Sequence, residues 1–427
     1  MHANLLDAFG VQPTKTTEDR YRFLLRVAAE QFSYQGKLRT TIPRAWLIFL
    51  EANRSVATRP FDLEAEWMSL TGIQLETFLT IGFGYYAGFL QHSSLVRHFA
   101  ASGILRGSVT EEACENFLSL ASATPELYRK LSRVHQVDDP LYIKNEFNML
   151  WQRPLIAIGN ELFAPVPFLV ANRMTDGILY DLMDAKAEKD RNPFSEYFGR
   201  LFEEYVGRLL KWTFGEENVH QEPKYGKPAK DGPDWIVIDG DTAILFECRS
   251  SRLKLKTRVF AQPGDVMDDI KRMFLETLEK YPGKVDDLKS GVARLDLSAV
   301  RRFESIILMY DRVFFEPIFR DLAKQEFTRS GKPWSDDFEL MDISDLEVLS
   351  AWHSSHPMGQ LLAERRSRYQ TEASDFSEFL YRYATERGLN YSHPLLTDVQ
   401  DRLLDTLFGA IPEGLGDDDQ QATGRLC

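Results

Sequence analysis

Apolar side chains recur at helical spacing over roughly the first 190 residues, which predicts a mainly α-helical N-terminal part. Thr124, Pro125 and Glu126 supply an N-cap, a proline at the first helical position and an acid in the first turn, a combination typical of a helix start. The most hydrophobic stretch, Ile73–Leu90, is interrupted by polar residues and glycines. It is therefore predicted to be a buried helix and not a membrane span.

A short β-hairpin interrupts this helical pattern. Leu155–Ile158 and Glu161–Phe163 are rich in apolar residues and flank Gly159–Asn160, a pair typical of a tight turn. A charged stretch then ends at Pro193 and predicts a boundary. We therefore expect four segments, which are a helical N-terminal domain (1–190), an α/β domain (191–345), a helical C-terminal segment (346–412) and a disordered tail (413–427).

The middle segment contains a second hairpin signal. Two β-rich runs are joined by Asp239–Gly240, and with this pair as the turn Asp234 lies opposite Leu245. Because side chains alternate between the faces of a strand, Asp234 then shares a face with Glu247 and Arg249. Asp234 lies diagonal to Glu247, roughly 7–8 Å away at Cα. A three-residue turn would place the two carboxylates on opposite faces, so this prediction depends on the register.

The preceding stretch, Phe198–Trp212, has an apolar stripe at helical spacing. Glu203 lies at the edge of that stripe, where a carboxylate is rarely buried without a partner. A functional carboxylate and a surface acid both fit this position, and the sequence leaves the choice open.

Paired carboxylates of this kind suit the hydrolysis of a phosphodiester. Mg²⁺ is held by one or two carboxylates, with water and substrate phosphate as the remaining ligands. The ion neutralises charge at the phosphate and activates a water molecule. A neighbouring basic residue can stabilise the negative charge that develops.

The order of these features resembles the PD-(D/E)xK nuclease superfamily. A Glu on a helix is followed by Pro233–Asp234, then by Glu247 with a basic residue two positions later, and then by another helix. The resemblance implies a restriction-endonuclease-like α/β core, a mixed sheet flanked by helices, embedded between the two helical segments. It also implies that Asp234, Glu247 and Glu203 are ligands of Mg²⁺ or Mn²⁺. The implied activity is a nuclease in restriction, phage defence or repair.

One position departs from that family, because Arg249 occupies the place of the usual lysine. Arginine stays protonated and cannot act as a base, although it can still neutralise phosphate charge. Arg249 would then support a metal-dominated mechanism, helped by Lys224, Lys254 or Lys256, or else the site is degenerate.

A basic run follows the hairpin and points to nucleic acid as the partner. No acidic residue lies between positions 248 and 264. The same stretch contains the basic residues Arg252, Lys254, Lys256 and Arg258. Taken alone, such a run is usually a solvated surface. Beside the predicted carboxylate pair it favours contacts with phosphates, and we expect DNA more than RNA.

Composition limits the other classes of function. The chain has 51 basic and 64 acidic residues, a net charge of −13, so only a local basic surface would bind nucleic acid. The 3 cysteines are far apart, which excludes a disulfide scaffold and favours the reducing cytoplasm. We see no signal peptide and expect no membrane contact. The helical N-terminal domain is the expected surface for a protein partner, and homodimerisation is left open.

The alternative function is a catalytically degenerate nuclease-fold protein that binds nucleic acid or serves as a scaffold subunit. Under this hypothesis Arg249 marks a decayed site. His353 and His356 are a weaker candidate for zinc, since no third ligand is evident.

Overall fold

The chain is a mixed α/β protein with small sheets flanked by many helices. The computed structural model describes residues 16, 24, 38–102, 105, 109–134, 148–186, 192–225, 230–254, 257, 263–291, 295–312, 316–369, 375–390 and 392–408. The described residues form two compact units. One, the sheet unit, comprises the described residues within 1–33 and 198–393, and the other, the helical unit, comprises those within 34–197 and from 394 onward.

The predicted boundary near residue 190 lies close to the change of unit after Tyr197. Residues of the predicted C-terminal segment 346–412 belong to both units.

The sheet unit is built on five strands that lie in the sheet in the order in which they occur along the chain. The first three strands pair antiparallel, and the third, fourth and fifth pair parallel. In chain order the elements are α1 (Pro193–Phe214, which enters this unit at Phe198), β1 (Val219–Gln221), β2 (Trp235–Asp239), β3 (Thr242–Arg249), α2 (Pro263–Ile270), a π-helical turn (Lys271–Leu275), α3 (Glu276–Lys289), β4 (Arg302–Met309), α4 (Glu316–Arg329) and β5 (Glu339–Asp342).

Further short elements complete the sheet unit. They are the 3-10 turn Glu216–Asn218, the strand pair Lys224–Tyr225 and Lys230–Asp231, and the helices Ile343–Trp352, Met358–Tyr369 and Phe376–Arg387. The first of these helices begins with a capping box between Asp342 and Asp345, which explains why β5 passes directly into a helix.

Strand β3 is buried along almost its whole length, because both faces of the sheet are covered. Ile236, Ala243 and Leu245 pack under Tyr281 and Leu288 of α3. On the other face, Trp235 packs against Gly207 of α1. A strand covered on both faces has a continuous apolar sequence, as the run from Ala243 to Phe246 has.

The predicted register of the β2–β3 hairpin is wrong by one position on each strand. The turn is Gly240–Asp241 and not Asp239–Gly240, so Asp239 pairs with Thr242. Gly240 takes φ +61°, a backbone conformation that glycine adopts without steric cost. Because both strands shift by one position, Asp234 and Glu247 still share a face, but the register now places them directly opposite each other.

The helical unit combines helices with a four-stranded sheet. The helices, some of them continuous with π or 3-10 turns, are Leu38–Trp46, Leu47–Ala52, Asn53–Ser55, Leu63–Thr71, Leu75–Gln91, Phe99–Ser102, Glu111–Ala121, Pro125–Val134, Met149–Trp151, Pro167–Met174, Asp176–Ala185 and Pro394–Phe408. The strands lie in the order Leu95–Val96, Glu161–Phe163, Leu155–Ile158 and Ser122–Ala123.

Two predictions for this unit are confirmed. Gly159–Asn160 is the turn of a hairpin, with Ile158 paired to Glu161 and Gly159 at φ +62°. The hydrophobic stretch that begins near Ile73 forms the largely buried helix Leu75–Gln91. Across the described ranges, no helix is both long enough and apolar enough to cross a membrane.

Candidate active site

Asp234 and Glu247 lie at the same end of the β2–β3 hairpin, on the face that α3 covers. Trp235 pairs with Phe246, so Asp234 and Glu247 are the next opposed positions. The Cys248 backbone N–H donates a hydrogen bond of 2.6 Å to Asp234 Oδ2. Glu247 is 1% exposed, whereas Asp234 is partly accessible. The hairpin therefore brings together the two carboxylates that the sequence predicted.

Two cationic side chains bind Glu247, one through each carboxylate oxygen. Lys284 of α3 donates to Oε1, and Arg249 Nη2 donates to Oε2 at 3.2 Å. Arg249 is also held by Thr277, whose Oγ1 accepts from Nε at 2.6 Å, and by the Cys248 carbonyl at 3.0 Å. The guanidinium is thus oriented by three different partners.

One face of α3 makes these contacts. Thr277, Tyr281 and Lys284 follow one another at i, i+4 and i+7, so they lie on one side of the helix. The Tyr281 hydroxyl donates to the Leu245 carbonyl at 2.7 Å and anchors the helix over β3. Lys284 is the site residue that sequence reasoning missed. The sequence pattern that could have indicated Lys284 is this periodic row of polar side chains. Lys284 itself lies 37 residues after Glu247.

Burial and like charge disfavour ionisation of the two strand carboxylates. Burial raises the pKa of Asp234, and the Cys248 N–H, Arg249 and Lys284 oppose that rise. Burial and then the charge of Asp234 raise the pKa of Glu247, and Lys284 opposes it. A cation placed between these groups would relieve both effects.

Glu203 approaches the site from α1, on the other face of the sheet. Its backbone carbonyl accepts a hydrogen bond of 3.1 Å from the Trp235 indole, which fixes this turn of α1 against β2. Burial, then the charges of Asp234 and Glu222, raise the pKa of Glu203 to about 8. Without a cation nearby, the protonated form of this carboxyl is therefore favoured, and the third acid is electrostatically linked to the pair.

A cleft of about 330 Å³ opens beside Glu247. Four of its lining residues are basic. The lining consists of Glu247, Arg249, Arg272, Glu276, Thr277, Lys280 and Lys284. Since the whole chain is acidic, this concentration of basic side chains is a local feature of the site.

Among the residues that the structure describes, no group of three or more His, Cys, Asp or Glu side chains is arranged to hold a metal ion. Mg²⁺ does not require such a group, since one or two carboxylates with water and phosphate suffice. The hard oxygen donors of Asp234 and Glu247 fit that need. The fit has a cost, because a metal on Glu247 has to share the carboxylate with Lys284 and Arg249.

The predicted basic run has several different surroundings. Arg252 lies over the ring of Tyr310 at 4.4 Å from its centroid. Lys254 Nζ is 3.9 Å from Asp269 Oδ1. Neither of these two residues lines the cleft. Lys256 and Arg258 lie outside the described residues.

The other residues that were considered have different roles. Lys224 lies in the strand Lys224–Tyr225. Cys248 is buried. His353 packs against the ring of Phe214, and His356 hydrogen bonds with the Ser355 hydroxyl at 2.8 Å.

Comparison with known proteins finds no matching family model, no matching curated protein and no matching solved structure.

Proposed function

We propose that the protein is a metal-dependent phosphodiester hydrolase that acts on DNA, with its active site at the open end of the β2–β3 hairpin. The observation that carries this proposal is the directly opposed pair Asp234 and Glu247, with Lys284 bound to Glu247 beside a basic cleft. The order of α1, hairpin, α3 and parallel strand also supports a restriction-endonuclease-like core. Restriction, phage defence or repair would be the setting that this resemblance implies.

Asp234 and Glu247 would hold Mg²⁺ or Mn²⁺, with Glu203 as a third, auxiliary carboxylate. The bound ion would neutralise the scissile phosphate and lower the pKa of a water molecule.

The remaining residues of the site orient the side chains of Asp234, Glu247 and Arg249 and place positive charge beside them. The Cys248 N–H fixes one oxygen of Asp234, and Thr277 fixes the guanidinium of Arg249. Lys284 and Arg249 hold the Glu247 carboxylate in one orientation and place two positive charges beside the cleft. Such preorganised charge stabilises a transition state that gains negative charge at phosphate oxygens.

A plasmid-cleavage assay with Mg²⁺ or Mn²⁺ tests this proposal. The wild-type protein should nick or linearise the plasmid, and Asp234→Asn or Glu247→Gln should abolish cleavage. Asp241→Asn is the matched control, because Asp241 is a carboxylate of the same hairpin that binds Arg302 at 2.8 Å at the far end. Equal cleavage by wild type and both site variants would refute the assignment.

A second candidate is a binding protein with a degenerate site. The observation that favours it is the pairing of both Glu247 oxygens with cations, which balances the charge of Glu247 without a metal. Calorimetry with Mn²⁺ separates the two functions. Binding that disappears in Asp234→Asn supports the hydrolase, whereas absence of binding to the wild type supports the binding protein.

A further inference from the structure

Charged side chains recur at every fourth position along the π-helical turn and α3. Arg272, Glu276, Lys280 and Lys284 follow one another at this spacing, and all four line the cleft beside Glu247. Successive members of such a row are about 6 Å apart along the helix axis, since each residue rises by about 1.5 Å. The row therefore extends away from Glu247 along one wall of the cleft.

The cations of this row differ in how far they are neutralised. Lys284 binds Glu247. Arg272 donates through Nη2 to Asp269 Oδ1 at 2.9 Å and to the Arg252 carbonyl. Both bonds use Nη2, so among the described residues the Nη1 and Nε donors of its guanidinium are left for an anion. Within the described part of the chain, neither Lys280 nor Glu276 forms an ion pair, although the two residues are one helical turn apart. The Lys280 side chain is exposed. Lys280 is consequently available to an anion that enters the cleft.

The lining also indicates what kind of anion the cleft accepts. Its described side chains are charged, apart from that of Thr277, and none is aromatic or aliphatic. A surface that reads bases uses groups aimed at base edges or aromatic rings for stacking. Arg and Lys can bind guanine edges as well as phosphates. Exposed cations spaced along a helix, with no aromatic ring on which a base could stack, nevertheless suit the regularly spaced phosphates of a backbone.

We infer that Arg272 and Lys280 bind backbone phosphates of the DNA next to the one that is cut, without recognition of bases. This inference rests on the proposed function for the position of the scissile phosphate. It assigns substrate binding to the helical row, whereas the sequence placed it on the basic run after β3. Arg272 and Lys280 would position the DNA backbone, whereas the carboxylate pair would act at the scissile phosphate.

The salt dependence of DNA binding measures this role. The slope of log Kobs against log salt concentration is negative, and each phosphate contact with a cation adds about 0.9 to its magnitude for duplex DNA. Lys280→Gln should therefore lower that magnitude by about 0.9 and weaken binding roughly fivefold near 0.15 M salt. Lys280→Gln combined with Arg272→Gln should lower the magnitude by about 1.8 and weaken binding roughly 30-fold.

The experiment is fluorescence anisotropy with full-length protein in EDTA, on an A·T-rich and a G·C-rich duplex, over about 50 to 200 mM KCl. Lys271→Gln is the matched control. Lys271 is adjacent to Arg272, but its Nζ lies 3.3 Å from Glu326 and the residue is not part of the lining. Lys254→Gln tests the predicted basic run in the same assay. Melting temperatures establish that each variant is folded.

The inference would be supported if the Lys280 variants lost affinity and slope equally on both duplexes while Lys271→Gln kept the wild-type slope. Unchanged slopes for the Lys280 variants, or a loss confined to one duplex, would overturn it. Because binding is measured without metal, its result is independent of cleavage. Plasmid cleavage together with unchanged slopes would refute only this inference. Altered slopes without any plasmid cleavage would refute only the proposed hydrolase function.

Discussion

Lys284 donates a hydrogen bond to Glu247, although the two residues are 37 positions apart in the chain and belong to a helix and a strand. The contact places an ammonium group beside the carboxylate pair, whereas the nuclease motif that the sequence resembles has its lysine on the strand itself. Arg249, at that strand position, binds the other oxygen of Glu247. The site thus contains a lysine that the sequence did not locate.

Lys284→Met should lower the turnover of the proposed DNA cleavage by about 10²- to 10³-fold, the range for removal of one preorganised charge-stabilising donor. Single-turnover kinetics with saturating enzyme separates this loss from weaker DNA binding. Lys289→Met is the control, because Lys289 lies on the same helix but over the ring of Phe303. Wild-type turnover in Lys284→Met would show that this lysine has no part in the reaction.

Arg249→Ala should lower turnover by a similar factor while leaving Mn²⁺ affinity nearly unchanged, since the carboxylates remain. Arg249→Lys should give an intermediate rate. Lysine retains the charge, but it lacks the planar fork with which Arg249 contacts Thr277, Cys248 and Glu247 together. Cleavage rates combined with Mn²⁺ calorimetry check this order of activities, and a fully active Arg249→Ala would contradict it.

Glu203→Gln should change how stability depends on pH. The pKa of Glu203 is raised from 4.5 to about 8 in the folded protein, so the unfolded chain releases this proton first. The stability that the protonated carboxyl contributes is complete below pH 4.5 and is lost as pH rises through about 8. Urea unfolding from about pH 5 to pH 9 should show the wild type losing stability relative to Glu203→Gln. Parallel pH curves would refute this prediction.

Gly207→Ala should destabilise the sheet unit by about 1–3 kcal/mol, the usual cost of overpacking a core. A Cβ atom at Gly207 would overlap the indole of Trp235, the residue next to Asp234. Gly283→Ala is the matched control, because Gly283 lies inside α3 with open space around its Cβ position. Alanine there should stabilise by up to about 1 kcal/mol through helix propensity. Urea unfolding measures both changes, and a stabilised Gly207→Ala would contradict this packing.

Glu115→Gln should destabilise the helical unit at neutral pH but not in strong acid. A hydrogen bond from Arg97 and then one from His98 lower the pKa of Glu115 to about 2, and burial opposes them. The stability gained is present above the ordinary pKa of 4.5 and disappears as pH falls through about 2. Melting temperatures of the wild type and the variant should therefore converge as the pH approaches 2. A difference that persists there would point to a loss of packing and not of charge.

The sequence by itself determined the elements around the candidate site and indicated its carboxylate pair. The apolar stripe of α1 and the β-rich runs on either side of Asp239–Asp241 are local patterns, and each is visible within a few residues. The shared face of Asp234 and Glu247 was also predictable, because strand side chains alternate with a period of two. Even the wrong turn position preserved that face, since both strands shifted by one position.

Only the tertiary structure decided which cations meet those carboxylates. Arg252 and Lys254 follow β3 closely in sequence, yet neither lines the cleft beside Glu247, whereas Arg272 and Lys280 do. Lys284 reaches Glu247 because α3 packs across β3 through Tyr281. Contacts of this kind depend on how a helix lies over a sheet, and the packing of apolar side chains many residues apart sets that position. A basic run records charge along the chain, whereas the electrostatics of a site depend on which charges the fold brings together.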